Sequence, residues 1–180
     1  MDLTKTSKFL ALILRHKPEA AGITLDAHGW AEVDALLQGM NAAGHPIDRA
    51  ILEEIVRTDE KGRYAFSEDG KCIRANQGHS VAVDVELQET APPAYLYHGT
   101  AERFAAVIRE EGLRPMSRLY VHLSGDTETA RKVGIRHGKP HIFRISAAEM
   151  ARQGYVFYRS ANGVWLTKIV PPEFLEDHND

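Results

Sequence analysis

Residues 7–18 (SKFLALILRHKP) constrain the fold of this chain most, because they predict a largely buried helix with a defined end. The positions on one face recur at the i, i+3, i+4, i+7 spacing of a helix: Phe9, Leu12, Ile13 and His16. Pro18 disfavours the α region for the residue before it, so we expect the helix to end near Arg15, His16 and Lys17.

This helix end has two interpretations. The guanidinium of Arg15 is a planar fork of donors that suits a phosphate, and histidine as a residue type titrates near neutrality, so Arg15 and His16 could clamp a phosphate. Cations in the last turn are also favoured by the helix macrodipole, whatever the protein does. On this segment alone, the second interpretation is favoured.

Composition limits the class of protein. A chain of 180 residues with 43% apolar residues can form one ordinary domain or two small ones. The single cysteine, Cys72, excludes an internal disulfide and a cysteine metal cluster, which fits a reducing compartment. No apolar run approaches the roughly 20 residues of a membrane span, and the N-terminus lacks the pattern of a signal peptide. We therefore expect a cytoplasmic protein with no membrane partner and no metal.

The charge is close to balanced. A formal net charge of −3 argues against a protein that coats nucleic acid through bulk electrostatics, so local cations must bind any anionic ligand. Residues 1–90 carry 10 Lys and Arg against 15 Asp and Glu, and residues 91–180 carry 12 against 10. This small asymmetry hints at two parts.

The first half of the chain predicts helices followed by a hairpin. A second helix is expected over residues 33–40, and Asp48 is the expected N-cap of a third. Residues 67–70 (SEDG) are a turn signal between two extended runs. This order is typical of winged-helix modules, which usually contact nucleic acid, although many serve only in packing or protein contacts.

Residues 86–93 (ELQETAPP) lose periodicity and end in a proline pair, so we expect two domains, 1–90 and 91–180. The second half predicts short strands and helices, with a final hairpin that turns at Asn162 and Gly163. The sequence therefore predicts an α+β protein.

Familiar hydrolytic motifs do not occur in this sequence. It has no glycine-rich phosphate loop, no GxSxG and no HExxH, and its second half has no pair of carboxylates at strand ends. Arginines and histidines stand instead at the ends of elements or within short strands: Arg15, His16, Arg63, His98, Arg118 and His122. Such cations can bind phosphate and stabilise developing negative charge. This stabilisation can be the largest contribution to catalysis of phosphate transfer.

Several of these residues also have a simpler interpretation. Taken alone, Arg63 is more typical of an exposed hairpin residue. His98 could be a capping residue ahead of a helix that starts at Ala101, with Thr100 as the N-cap. His122 alternates with apolar residues in an expected strand, which is more typical of a hydrogen-bonded core histidine than of a ligand.

The polar loop after the first hairpin also leaves two interpretations. Residues 76–79 (NQGH), which follow Arg74, suit contacts with RNA bases or sugars, yet they equally form an ordinary loop. Both tryptophans, Trp30 and Trp165, are expected in the core.

Nine short motifs occur in the order LRHKP, LDAHGW, GRYAF, IRANQGHS, YHGT, GLRPMSR, VHLS, VGIRHGKP and NGVWLT. Together they resemble the NAD-dependent RNA 2'-phosphotransferases of the KptA type, known as tRNA 2'-phosphotransferases, over residues 7–172. The resemblance implies a winged-helix N-terminal lobe and a C-terminal lobe with the ADP-ribosyltransferase fold. It implies two partners, NAD as co-substrate and RNA with an internal 2'-phosphate of the kind left at tRNA splice junctions.

The resemblance also implies a reaction in two steps. The 2'-phosphate attacks the anomeric carbon of the NAD ribose and expels nicotinamide, and the neighbouring 2''-hydroxyl then attacks the phosphodiester so formed. The products are RNA with a 2'-hydroxyl and ADP-ribose 1'',2''-cyclic phosphate. Because the first nucleophile is already an anion, the enzyme has mainly to position the partners and screen charge.

The functional residues of this family carry over onto the matching motifs. The catalytic set corresponds to Arg15, His16, Arg63 and Arg118. The first three are expected to grip the phosphate, and Arg118 is expected to act on it in the second step. NAD is expected against His98, Gly99, Thr100, His122, Ser124, Gly134 and Arg136. The polar character of the loop after the hairpin, and not the resemblance, is the reason why RNA is expected against Arg74, Gln77 and His79.

Two further comparisons concern single positions. His98, His122 and Val164 take the strand positions that read His-Tyr-Glu in other ADP-ribosyltransferases, and a valine cannot activate an acceptor. The chain departs from the family at Tyr120, where a histidine is common, so no role for that histidine carries over. The alternatives are an ADP-ribosyltransferase acting on RNA termini or protein, and a non-catalytic RNA-binding relative. We expect a monomer.

Overall fold

In the computed structural model, which describes residues 3–178, the first helix ends where the sequence predicts. It is α1 (Leu3–Arg15), and a 3₁₀ turn (Pro18–Ala21) follows it. Leu10 and Ile13 on its inner face are fully buried. The core therefore holds the helix, and the proline shortly after its end keeps it from extending.

Two more helices and a small sheet complete the N-terminal unit. The helices are α2 (Val33–Ala42) and α3 (Arg49–Thr58), and the strands are β1 (Ala31–Glu32), β2 (Tyr64–Phe66) and β3 (Cys72–Ala75), in the order β1-β3-β2. Asp48 caps α3 as predicted, because its carboxylate accepts the N–H of Ile51 at 2.8 Å. The hairpin turn closes where Gly70 donates its N–H to the carbonyl of Ser67 at 2.8 Å.

Two antiparallel sheets form the C-terminal unit. The strands are β4 (Gln88–Glu89), β5 (Leu96–Ala101), β6 (Val121–Leu123), β7 (Pro140–Ile145), β8 (Phe157–Arg159), β9 (Trp165–Thr167) and β10 (Leu175–Asp177). One sheet has the order β10-β7-β5 and the other β4-β8-β9-β6. Two backbone hydrogen bonds between Tyr97 and Ser124, at 2.9 and 2.8 Å, link the sheets.

Three short helices pack on these sheets, and one of them lies very close to a strand. They are α4 (Ala105–Glu111), α5 (Thr127–Gly134) and α6 (Ala147–Arg152). A Cβ at Gly99 in β5 would lie 1.6 Å from the carbonyl oxygen of Ala130 in α5. The close packing of α5 on β5 therefore requires glycine at position 99.

The alternative in which Thr100 caps a helix starting at Ala101 is wrong. The pairing of β5 with β7 continues through both residues, and a 3₁₀ turn (Glu102–Phe104) separates them from α4. Hydrogen bonding to β7 thus extends β5 through Ala101, the residue at which the sequence also allowed a helix to begin.

The chain divides into two units, residues 1–86 and residues 87–180, each with its own apolar core. Residues 88–89 were expected in the first domain, but they pair as β4 with β8 in the second unit. The mixture of helices and antiparallel strands agrees with the predicted α+β class. Between residues 3 and 178, no helix has both the length and the apolar composition needed to cross a bilayer.

Candidate functional site

The end of α1 is held by a loop that follows the first hairpin, residues 76–81. The backbone N–H of Ser80 donates to the carbonyl of Arg15 at 2.9 Å, which satisfies a carbonyl at the helix end. The hydroxyl of Ser80 shares a hydrogen bond with Nδ1 of His16, also at 2.9 Å. The loop therefore fixes the backbone of Arg15 and the ring of His16.

Arg63 is tied to the start of the same loop. Its carbonyl accepts the N–H of Asn76 at 2.8 Å, and the side-chain amide of Asn76 donates to the carbonyl of Gly62 at 2.7 Å. The guanidinium of Arg63 forms an ion pair with Asp59 at 3.2 Å and is 31% exposed. Arg63 is thus partly buried, and the loop connects three of the predicted catalytic residues within the N-terminal unit.

Two residues that organise this site were not predicted. Asp59 precedes Arg63 by four positions, which is a recognisable spacing for an ion pair. Ser80 bonds to His16 across 64 positions, and no local pattern indicates that contact. Only the fold brings Ser80 to the end of α1.

His79, which we expected to contact RNA, is buried within the cations of this site. It is 3% exposed, and its Nε2 has no hydrogen-bond partner among the described residues. Burial lowers its pKa to about 4, and the charges of Arg15, His16 and Arg74 act in the same direction. His79 is therefore neutral near pH 7, so its ring adds no positive charge to that of the surrounding cations.

Trp30 does not lie in the core, contrary to the expectation. It is partly exposed, and the guanidinium of Arg74 lies over its ring, 4.4 Å from the centroid. Trp165, by contrast, is buried as expected. Gln77, the third residue expected to contact RNA, is half-buried in the loop that carries His79.

A second cluster lies in the C-terminal unit and contains His98, His122 and Arg118. Nδ1 of His98 donates to the carbonyl oxygen of His122 at 3.1 Å. Because a carbonyl can only accept, the ring proton of His98 is on Nδ1 and its Nε2 is an acceptor. Burial lowers the pKa of His98, which keeps this imidazole neutral.

Arg118 donates from its guanidinium to Nδ1 of His122. Since a guanidinium has no acceptor, this contact requires that Nδ1 carries a lone pair, so the ring proton of a neutral His122 is on Nε2. Desolvation lowers the pKa of Arg118, but arginine keeps its charge in proteins. The cluster thus presents one fixed cation and two histidines of defined tautomer.

The remaining residues expected to bind NAD lie mostly around the β5–α5 contact. Gly134 ends α5, and a Cβ there would lie 2.8 Å from the carbonyl oxygen of Thr100. Ser124 follows β6 in the bridge to Tyr97. Arg136 is exposed in a 3₁₀ turn after α5. The two glycines at this contact, at positions 99 and 134, therefore have a packing reason in addition to any role in binding.

Val164 and Tyr120, which the family resemblance singled out, lie directly before strands of the β4-β8-β9-β6 sheet. Val164 accepts the N–H of Ser160 at 2.9 Å, immediately before β9. The ring of Tyr120 meets the ring of Tyr158 edge-on, with centroids 5.6 Å apart. Within residues 3–178 no group of three or more His, Cys, Asp or Glu side chains could hold a metal ion.

The sequence is similar to proteins of one family. Residues 2–169 match the model of the family described as RNA 2'-phosphotransferase, Tpt1 / KptA family. A protein of Escherichia coli (strain K12) named RNA 2'-phosphotransferase is 52% identical over 176 residues, which cover 97% of this chain and 96% of the relative. A protein of Shigella boydii serotype 18 named probable RNA 2'-phosphotransferase has the same identity and coverage.

Proposed function

Because this chain belongs to the RNA 2'-phosphotransferase, Tpt1 / KptA family, we propose that it removes an internal 2'-phosphate from RNA by transferring it to NAD. The products are RNA with a 2'-hydroxyl, ADP-ribose 1'',2''-cyclic phosphate and nicotinamide. The observation that carries this proposal is the docking of residues 76–81 on the end of α1. This contact fixes Arg15 and His16 side by side, where both can donate hydrogen bonds to a phosphate.

In the first step, an oxygen of the 2'-phosphate attacks the anomeric carbon of the nicotinamide ribose, and the bond to nicotinamide breaks. Arg15, His16 and Arg63 bind the phosphate through charge-assisted hydrogen bonds. All three are tied to one loop, so less ordering is required when the phosphate arrives. A phosphate that is already an anion needs no general base.

The C-terminal unit binds NAD, which supplies the electrophilic ribose carbon and its leaving group. The tautomer of His98 supports this role, because its Nε2 is an acceptor that suits a ribose hydroxyl. The remaining residues of this site are Gly99, Thr100, His122, Ser124, Gly134 and Arg136. The turn that carries Arg136 takes the adenosine side.

In the second step, the oxygen of the ribose 2''-hydroxyl bonds to the phosphorus and the hydroxyl loses its proton. The bond from phosphorus to the RNA 2'-oxygen breaks, and that oxygen takes up one proton, so the step is neutral in protons overall. Negative charge on the non-bridging oxygens of the phosphorus must be stabilised as this happens. Arg118 supplies that positive charge, and its hydrogen bond to His122 orients the guanidinium.

The RNA next to the phosphate contacts Arg74 and Gln77. His79 is too deeply buried for a large contact area, so it acts as a positioning residue for the loop that holds Arg15. Its neutral ring fills the space between cations without adding to their mutual repulsion.

The two units take the folds that the family resemblance implies. Three helices followed by the β2-β3 hairpin support a winged-helix lobe in residues 1–86. Two antiparallel sheets with short helices support an ADP-ribosyltransferase-like lobe in residues 87–180. The monomeric state, the cytoplasmic location and the independence of metal stay predictions.

One incubation tests this function against its alternatives. The protein is mixed with NAD and an oligonucleotide that bears one internal 2'-phosphate, and the RNA is analysed by mass spectrometry. We expect loss of the phosphate. RNA that retains a stable ADP-ribose would indicate an ADP-ribosyltransferase, and unchanged RNA that still binds would indicate a non-catalytic relative. Either result would overturn the proposal.

A further inference from the structure

We propose that Trp30 and Arg74 form a stacking site for a nucleobase of the bound RNA, beside the cations that bind its 2'-phosphate. The inference rests on the proposed function for the identity of the ligand. It adds a subsite that reads the base, whereas the cations read only the phosphate.

The turn that carries Trp30 is rigid. The carboxylate of Asp26 accepts the N–H groups of His28 and Trp30 at 2.8 and 3.0 Å, and the N–H of Asp26 donates to the carbonyl of Trp30 at 2.9 Å. Trp30 is nevertheless partly exposed, so part of this held side chain remains accessible to a ligand. A fixed and accessible indole is the usual platform for an unpaired base.

Arg74 extends this platform. Its guanidinium lies 4.4 Å from the centre of the Trp30 ring, and its Nη1 donates to the carbonyl of His28 at 3.3 Å. The side chain is only 18% exposed, so the guanidinium is held in place and does not sample solvent freely. Indole and guanidinium are both flat, and each stacks on bases in RNA complexes.

The surrounding charges favour a base over a second phosphate. A carboxylate oxygen of Glu86 lies 3.8 Å from Nη1 of Arg74 and 3.5 Å from Nδ1 of His28. Asp84 adjoins them, since its backbone carbonyl oxygen lies 2.8 Å from Nδ1 of His28 and its carboxylate accepts the N–H of Glu86 at 2.9 Å. These acids offset the charge of Arg74 and repel a phosphate group. An uncharged base meets no such repulsion.

The platform is close to the phosphate-binding cations. The charges of Arg15, His16 and Arg74 all act on the buried ring of His79. In addition, a Cβ at Gly29, the neighbour of Trp30, would lie 3.4 Å from Nε2 of His79. The platform and the phosphate-binding cations therefore adjoin the same side chain, that of His79.

An enzyme–substrate double-mutant experiment tests this inference. The Michaelis constant for 2'-phosphorylated RNA is measured for the parent protein, Trp30→Ala and Trp30→Phe, at saturating NAD. Stacking predicts a rise of about five- to a hundredfold for Trp30→Ala, and little change for Trp30→Phe, which keeps an aromatic plane. Thermal unfolding of each variant checks that the fold is kept.

The same variants are then assayed on three oligonucleotides, each with one abasic site before, at or after the phosphorylated nucleotide. On one of the three, Trp30→Ala should cause no further loss, because the base that it stacks is already missing. The same loss on all three would overturn the inference and assign Trp30 a structural role. No loss on the parent oligonucleotide would overturn it as well.

Fluorescence tests the inference without turnover. Trp165→Phe leaves Trp30 as the single tryptophan, since the chain has two. RNA added without NAD should quench its emission, and Trp30→Phe, in which only Trp165 emits, should show no quenching. Absence of quenching in Trp165→Phe would overturn the stacking site. If the RNA quenches the emission but keeps its phosphate once NAD is added, the stacking site stands and only the proposed function is rejected.

Discussion

Arg118 donates a hydrogen bond from its guanidinium to Nδ1 of His122, four residues further along the chain. The contact joins a residue expected to act on the phosphate with one expected at the NAD site. It exists only while Nδ1 is unprotonated, because two donors would otherwise face each other. We therefore propose that His122 orients the guanidinium of Arg118.

This contact predicts that two variants share one defect. Arg118→Ala and His122→Phe should both accumulate RNA that carries ADP-ribose on its 2'-phosphate, because the second step lacks an oriented cation. Loss of one hydrogen bond to a charged group should slow that step roughly ten- to a hundredfold. The intermediate is followed over time as a slower band on a denaturing gel.

His122→Asn is the matched control for His122→Phe. Its amide oxygen can accept from Arg118 near the position of Nδ1, so the intermediate should clear faster than in His122→Phe. Equal clearance in the two variants would show that the hydrogen bond does not matter. If Arg118→Ala slows nicotinamide release and final product equally, Arg118 serves substrate binding instead.

The phosphate site predicts a different defect at the end of α1. Arg15→Ala should slow formation of the ADP-ribosylated intermediate by roughly ten- to a hundredfold, because a charge-assisted contact to the phosphate is lost. Lys17→Ala removes an exposed cation only two residues away and should stay near the parent rate. Single-turnover rates of nicotinamide release measure both. Equal rates in the two variants would reject the clamp.

Local signals in the sequence predicted several elements of the fold. Pro18 ends α1, Asp48 caps α3, and the chain turns at Gly163, whose φ of +83° suits a residue without a side chain. The strands β4 and β10 were missed. They have two and three residues and form by pairing with β8 and β7, which lie far away in the sequence.

The sequence likewise predicted some features of the site and missed others. The motifs identified the family, which the 52% identity to the E. coli relative confirms. No pattern indicated that His79 would be buried among cations, or that Trp30 would lie outside the core. Burial depends on the whole fold, so the spacing of residues along the sequence could not reveal it.

The buried ring of His79 predicts a loss of stability in acid. Its pKa is about 4, against an ordinary 6.5, so above pH 6.5 it is neutral in both states and its contribution is complete. As the pH falls towards 4, the unfolded chain binds a proton that the folded chain disfavours, and stability decreases. The full effect is on the order of 3 kcal/mol.

His79→Gln should remove this dependence. Urea unfolding at a series of pH values should show that the free energy of unfolding of the variant falls less between pH 6.5 and 4.5 than that of the parent. The slope is the relevant quantity, because the substitution also changes packing at all pH values. Parallel slopes would contradict the assignment.

Gly99 predicts a packing defect that is separate from binding. Gly99→Ala should destabilise the protein by about 3 kcal/mol or more, because the added carbon would meet the carbonyl of Ala130 at 1.6 Å. Gly125→Ala is the control, since its added carbon would have Trp165 Nε1 as nearest neighbour at 3.9 Å. Thermal unfolding without NAD compares them. Equal melting temperatures would contradict the close contact of β5 and α5.

The fate of the phosphorus tests the central proposal most directly. An oligonucleotide labelled only in one internal 2'-phosphate is incubated with the protein and NAD, and the products are separated. We predict that the label appears in ADP-ribose 1'',2''-cyclic phosphate, with one nicotinamide released for each phosphate removed. Label in inorganic phosphate, or removal of phosphate without NAD, would contradict transfer to NAD.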